Sequence, residues 1–197
     1  MQNWIALLRG INVGGRNSLP MAELKATFES SGCSSVQTYI QSGNVVFASS
    51  VRSGQSLSKR LSEAVEEEFG FRPSILLLSE SDFRAAIANN PFAKAVKDPK
   101  TLHFFFLDSP PKSQDMKGFD KLALSTERYE LIGSVFYLYT PDGFGRSKLA
   151  AGAERKLGVP ATARNFTTVM KLSKMLVPDL KSANEKTAKP NRGSRKS

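Results

Sequence analysis

The chain has 197 residues, 40% of them hydrophobic and 23% charged, which excludes a disordered or fibrous protein and suits one large domain or two small ones. Its single cysteine, Cys33, excludes an internal disulfide framework and a cysteine-based zinc site. No apolar run approaches the roughly 18 residues of a membrane span, and the opening Trp4–Leu8 run is too short for a signal peptide, so the expected location is the cytoplasm, with no membrane partner.

Residues 3–11 read as a short apolar strand, followed by a glycine-rich turn at 12–17. Met21, Leu24 and Phe28 stand at helical spacing within 19–31, with Pro20 in the first turn, where its missing N–H costs nothing. Two β-branched or aromatic runs, 36–40 and 45–48, flank Gln41-Ser42-Gly43-Asn44 and signal a hairpin. Leu57, Leu61, Ala64, Val65 and Phe69 share one face of a helix over 55–69, Gly70 stops it, and Ser74–Ser79 form a further strand. The order β-α-β-β-α-β is that of the ferredoxin-like unit.

The second half repeats the order. A helix at 80–89 leads to a strand at 101–107, a helical segment near 113–122, strands at 127–132 and 135–140 about a tight Gly133-Ser134 turn, and a helix at 147–157. A short strand near 161–164 and a helix at 166–176 complete it. The expected fold is α+β: two ferredoxin-like (βαββαβ) subdomains with an additional C-terminal helix. The expected divisions are a first subdomain at 1–79, a second at 80–178 and a basic tail at 179–197. Thirteen Phe against one Trp place the burden of core burial on phenylalanine.

The net charge of +10 is unevenly spread. Residues 181–197 hold six Lys or Arg and one Glu, so this segment alone contributes half of the excess. It has no large apolar residue and reads as a disordered arm suited to polyanions such as nucleic acid, or simply to solubility.

The most informative segment is Arg9-Gly10-Ile11-Asn12-Val13-Gly14-Gly15-Arg16-Asn17, between a strand and a helix. It approaches the frame of a phosphate loop, with Arg16 and Asn17 where Lys and Ser/Thr belong. Asn17 cannot supply the hydroxyl that holds magnesium, which argues against an NTPase. Glycine-rich backbone amides beside a helix start and Arg9 or Arg16 still suit an oxyanion; the plain alternative is that Gly14 and Gly15 only permit a turn. In a ferredoxin-like unit the first two strands run parallel. The turn after the first and the hairpin after the second therefore meet, gathering Arg9, Asn12, Arg16, Asn17, Gln41, Ser42 and Asn44. Arg164, next to the natural helix cap Asn165, joins the candidates because a cap needs no guanidinium.

Other features read as structural. Phe47 alone makes no base-stacking platform of the RNA-recognition kind and belongs to the core. His103 is a lone strand histidine, Cys33 has no histidine nearby in sequence, and Ser147 caps a helix rather than pairing with Lys148. Metal-ligand spacings, nucleophile elbows and paired-carboxylate signatures are absent, and no cofactor is expected.

The blocks Ala6–Gly15 (ALLRGINVGG), Leu19–Leu24 and Thr38–Phe47 (TYIQSGNVVF) resemble the bacterial family catalogued as domain of unknown function 1697. Asn90-Pro91-Phe92, Leu102-His103, Ser147-Lys148-Leu149 and Thr162–Phe166 follow in the same order, so the resemblance spans nearly residues 1–178. Phe166 stands where members often have Trp. The resemblance implies ferredoxin-like subdomains and brings no activity, cofactor or catalytic residue. Three functional readings follow from the residues: a module binding a small anionic or nucleotide-like ligand at the glycine-rich turn and hairpin, a nucleic-acid-associated protein using its basic tail, or an enzyme on a phosphorylated or acyl substrate at the same site. The third lacks an evident general base.

Overall fold

The computed structural model describes residues 1–94, 97–111 and 116–176. Strand β1 (Gln2–Arg9), helix α1 (Met21–Ser30), β2 (Ser34–Tyr39), β3 (Asn44–Ser49), α2 (Gly54–Phe69) and β4 (Ser74–Ser79) form the first half. Helix α3 (Glu80–Ala88) leads to β5 (Leu102–Leu107), α4 (Met116–Asp120), β6 (Arg128–Ile132), β7 (Val135–Tyr139), α5 (Lys148–Leu157), β8 (Ala161–Asn165) and the closing α6 (Phe166–Met175). The strands pair in the orders β2-β3-β1-β4 and β6-β7-β5-β8, with every neighbouring pair antiparallel. Both halves are thus ferredoxin-like βαββαβ units followed by a helix, the α+β class expected from the element order.

The layering explains why the central strands read as unbroken apolar runs. Side chains alternate between the faces of a strand, so a strand covered on both sides needs apolar residues at every position. In β1, Trp4, Ala6 and Leu8 pack under α1 and α2, whereas Ile5 and Leu7 enter a middle layer shared with the second sheet. In β5, Phe104 and Phe106 face that middle layer, and Phe105 and Leu107 face α5. α3 and α6 supply Phe83, Ala86, Val169 and Leu172 between the sheets. Phenylalanine dominates this layer: Phe104 meets Tyr137 edge-on at 4.7 Å and stacks with Phe166 at 5.5 Å, while Phe83 stacks with Phe106 at 5.7 Å. Phe47 is fully buried and edge-on to Phe28, as a core residue should be.

Local signals set the boundaries. Ser53, Ser79, Ser147 and Asn165 each accept a bond from the amide three residues on, capping α2, α3, α5 and α6. Gly70 and Gly158 end α2 and α5 in left-handed geometry. β1 stops at Arg9, two residues short of the expected end, because Gly10 (φ 73°) and Asn12 (φ 53°) turn the chain away. Ile11, between them, is buried all the same. Among the described residues no helix is long and apolar enough to cross a membrane. The basic tail at 179–197 and residues 113–115 of the expected segment near 113–122 lie outside the described residues.

Candidate functional site at the glycine-rich turn and facing hairpin

β1 and β2 are both antiparallel to β3, so they run parallel and their C-terminal ends share one edge of the first sheet. The turn after β1 and the turn between β2 and β3 therefore lie side by side. Asn12 fastens them: its Nδ2 donates to the Gln41 carbonyl at 2.9 Å and the Leu19 carbonyl at 3.0 Å, and its Oδ1 accepts from the Leu19 amide at 2.8 Å. Asn17 Nδ2 closes the glycine-rich segment onto the Gly10 carbonyl at 2.7 Å. Both asparagines have positive φ, which their short polar side chains tolerate. Gly43 brings the hairpin against β1, where the Leu8 amide donates to its carbonyl at 2.8 Å.

Gly14 and Gly15 form the exposed tip of this segment, with φ of 58° and 75°, and the Arg16 amide donates back to the Val13 carbonyl at 3.0 Å. Positive φ at both central residues is the geometry of tight hairpin turns. α1 begins only at Met21, so the glycines do not open directly into a helix as in a phosphate loop. The Arg16 guanidinium is exposed and has no hydrogen-bond or ion-pair partner among the described residues. Two apolar side chains share this end: Val13 and Ile40 are 68% and 51% exposed, and Ile40 holds a φ of 49° that a β-branched residue rarely adopts.

The other two candidate arginines are engaged. Arg9 grips Glu154 of α5 with two parallel bonds of 2.9 and 2.8 Å, joining the two halves. Arg164 reaches from β8 into the first half, where Nε donates to Asn44 Oδ1 at 2.5 Å and Nη2 to the Leu8 and Ser42 carbonyls at 2.8 and 3.0 Å. Its Nη1 donates to the Ala163 carbonyl at 2.9 Å. Burial, and secondarily Arg9, lower its pKa to about 10, so it stays charged at neutral pH. Asn44 is fully buried and completes the joint, donating to the Tyr39 carbonyl and Ser42 Oγ.

All ten candidate residues thus lie on one connected piece of structure, but in different states. Asn12, Asn17, Asn44 and Arg164 spend their side-chain groups on internal bonds, and Arg9 is paired. Arg16, the Gln41 side chain and the tip at Gly14 and Gly15 face solvent. Sequence reasoning missed Glu154 and Asp108. Asp108, just after β5, has its carboxyl pushed up by burial, with Arg9 opposing and Glu154 adding to the shift. Neither carries a local signature: Glu154 reads as one more helix-surface charge, and only the docking of the two halves brings it to Arg9. His103 is buried, stacked on Phe144 at 3.8 Å, and its Nδ1 has no hydrogen-bond partner. Among the described residues no three His, Cys, Asp or Glu side chains gather as metal ligands.

Paired ferredoxin-like halves bridged by Arg164, with two loops tied at one end, define the class of α+β protein to which this chain is assigned. It belongs to the family of proteins of unknown function DUF1697, whose model matches residues 1–137. It is similar to a solved structure, the conserved bacterial protein SP0830 from Streptococcus pneumoniae, with 29% identity and a TM-score of 0.67 over 89% of this chain and 99% of that one. No curated protein matches the chain.

Proposed function

We propose that the end of the molecule formed by the glycine-rich turn and the facing hairpin binds a small anionic, nucleotide-like ligand. The observation that carries this reading is Arg164: a half-buried guanidinium whose bonds all go to neutral oxygens, so its positive charge is not cancelled by a carboxylate of its own. An uncompensated cation at such a joint projects potential toward the nearest open surface. There Arg16 offers a free fork of donors, the Gly14–Gly15 tip lets an anion approach the backbone closely, and Asn12 holds both loops in register. The paired Arg9–Glu154 is a second cation within reach, held in reserve by its carboxylate.

The test is a thermal-shift and calorimetric titration with inorganic phosphate, sulfate, nucleoside mono- and triphosphates and small carboxylates. At least one anion is expected to stabilise the protein, and Arg16→Ala should weaken that response about tenfold while leaving the ligand-free melting point unchanged. If no anion shifts the transition of the unaltered chain at millimolar concentration, the reading fails.

A further inference from the structure

Four strands lie at sheet edges: β2, β4, β6 and β8. An unguarded edge offers a row of backbone donors and acceptors to any passing strand, and proteins blunt it with charges, bulges or proline. β2 has a register irregularity between Ser34 and Gln37. β6 presents exposed Arg128 and Glu130, and β8 carries Arg164, whose side chain is drawn into the joint. β4, Ser74-Ile75-Leu76-Leu77-Leu78-Ser79, has none of these guards except α2, whose Ser58 and Ser62 cap the Ile75 and Pro73 carbonyls and leave Leu77 uncovered. It contains no charge and no proline, and its register against β1 runs unbroken from Arg9↔Ser74 to Trp4↔Ser79.

Open space flanks this strand on both faces. A cleft of about 370 Å³ lies between Leu76–Leu78, Ala85 and Ala86 of α3, and Phe106 and Val135 of the second half. A second hollow of about 660 Å³ lies toward α2, against Ser58, Lys59 and Ser62, and Asp108 borders both hollows. Ser58 Oγ donates to the Ile75 carbonyl at 2.5 Å, so that carbonyl points away from β1. By the alternation of an antiparallel ladder the Leu77 N–H and C=O point the same way, with no strand beyond them.

The charged side chains lining the inner cleft are two carboxylates, Asp82 and Asp108, on a chain whose net charge is +10. Asp82 accepts from Ser79 Oγ at 2.6 Å, and the Asp108 carboxylate makes no hydrogen bond or ion pair among the described residues, though it stands in the field of Arg9 and Glu154. A second copy of the chain fits poorly. Two-fold pairing of β4 with β4 would bring four carboxylates to one seam, with nothing on SILLLS to answer them.

We propose that β4 accepts an extended segment of a partner polypeptide as a fifth strand of the first sheet. The alternate residues of that segment turned into the inner cleft would be apolar, interspersed with Lys or Arg to meet Asp82 and Asp108. The intervening residues would be polar, toward the hollow that Lys59 and Asp108 both border. Main-chain bonds to Leu77 supply affinity, and the two carboxylates select the partner.

The experiment is selection of random octapeptides displayed on phage against the full chain, followed by titration of the enriched peptide. Enriched sequences should alternate apolar and basic residues, and amide resonances of Ile75–Ser79 should move on binding. N-methylation of the peptide amide facing β4 should abolish binding, and Asp82→Asn with Asp108→Asn should weaken it at least tenfold. Should the double variant fold poorly, Asp108→Asn alone, at an exposed position, should weaken it about threefold. No enrichment, enrichment without basic residues, or indifference to N-methylation overturns the proposal. So does a concentration-dependent dimer that competes with the peptide, or binding that appears only after residues 177–197 are deleted, since each puts a different occupant on β4. Arg16→Ala should leave peptide binding intact, which separates this edge from the anion site.

Discussion

Arg164 Nε donates to Asn44 Oδ1 at 2.5 Å across 120 residues of sequence, and this bond ties the last strand of the second half to the first hairpin. The same guanidinium holds the carbonyls of Leu8 and Ser42. It therefore fixes the hairpin against the end of β1 while standing in the other half of the molecule.

Arg164→Met should cost about 2 kcal/mol of stability, because the part-buried Leu8 carbonyl and Asn44 side chain lose a charged donor, while the exposed Ser42 carbonyl can turn to water. Urea unfolding measures the loss. Phosphate binding by the surviving folded fraction should fall as well, since the same change removes the half-buried charge. A loss below about 1 kcal/mol would show the joint to be solvated.

Glu154→Gln tests the reserve cation. The pair is partly exposed, with side chains 35% and 45% accessible, so stability should change by less than about 1 kcal/mol. Freed of its carboxylate, Arg9 should raise the affinity for the stabilising anion about fivefold, the equivalent of about 1 kcal/mol. Unchanged affinity would mean that Arg9 stands apart from the bound anion.

The glycines divide sharply. A Cβ on Gly43 would sit 2.6 Å from Leu8 Cβ and 2.7 Å from Ile11 Cδ1, at a φ of 72°. Gly43→Ala should therefore cost about 3 kcal/mol, combining overpacking with left-handed strain. At Gly14 nothing lies within 4 Å of the added carbon, so Gly14→Ala should cost only about 1 kcal/mol, from the backbone alone. Equal effects in denaturation would contradict the packing at the hairpin.

His103 makes stability depend on pH. Burial lowers its pKa from 6.5 to about 4, and the Thr101 backbone offsets this only in part. The folded state thus prefers the neutral ring, and the unfolded chain takes up the proton first. Its contribution is full above pH 6.5 and is lost as pH falls toward 4, by about 3 kcal/mol in all. His103→Leu should remove this fall, so the stability difference between the two proteins should change across that window; parallel profiles would refute the assignment.

The family blocks and the order of elements were legible because they rest on short-range physics. Short apolar and β-branched runs marked the strands, Ser147 and Asn165 marked helix starts through their own side chains, and Gly133-Ser134 marked a two-residue turn. The meeting of the glycine-rich turn with the hairpin was also legible, because it follows from the parallel run of β1 and β2. The state of each site residue was not. Asn12 and Asn17 look like free polar groups in a string of letters, and only coordinates show their amides spent on Gln41, Leu19 and Gly10.

Arg164 sharpens the same contrast. Its position beside the Asn165 cap made it stand out, since capping needs no guanidinium, but its partners Leu8, Ser42 and Asn44 lie more than a hundred residues away. What the sequence determined by itself was the repeated βαββαβ order, the Phe-rich core and the convergence of two loops, all consequences of local backbone and side-chain preferences. Only the tertiary structure decided which arginines are spent and which is free, and which sheet edge lies open. Those outcomes depend on how two halves pack face to face, and that packing joins residues whose chemistry leaves no trace in their immediate neighbours.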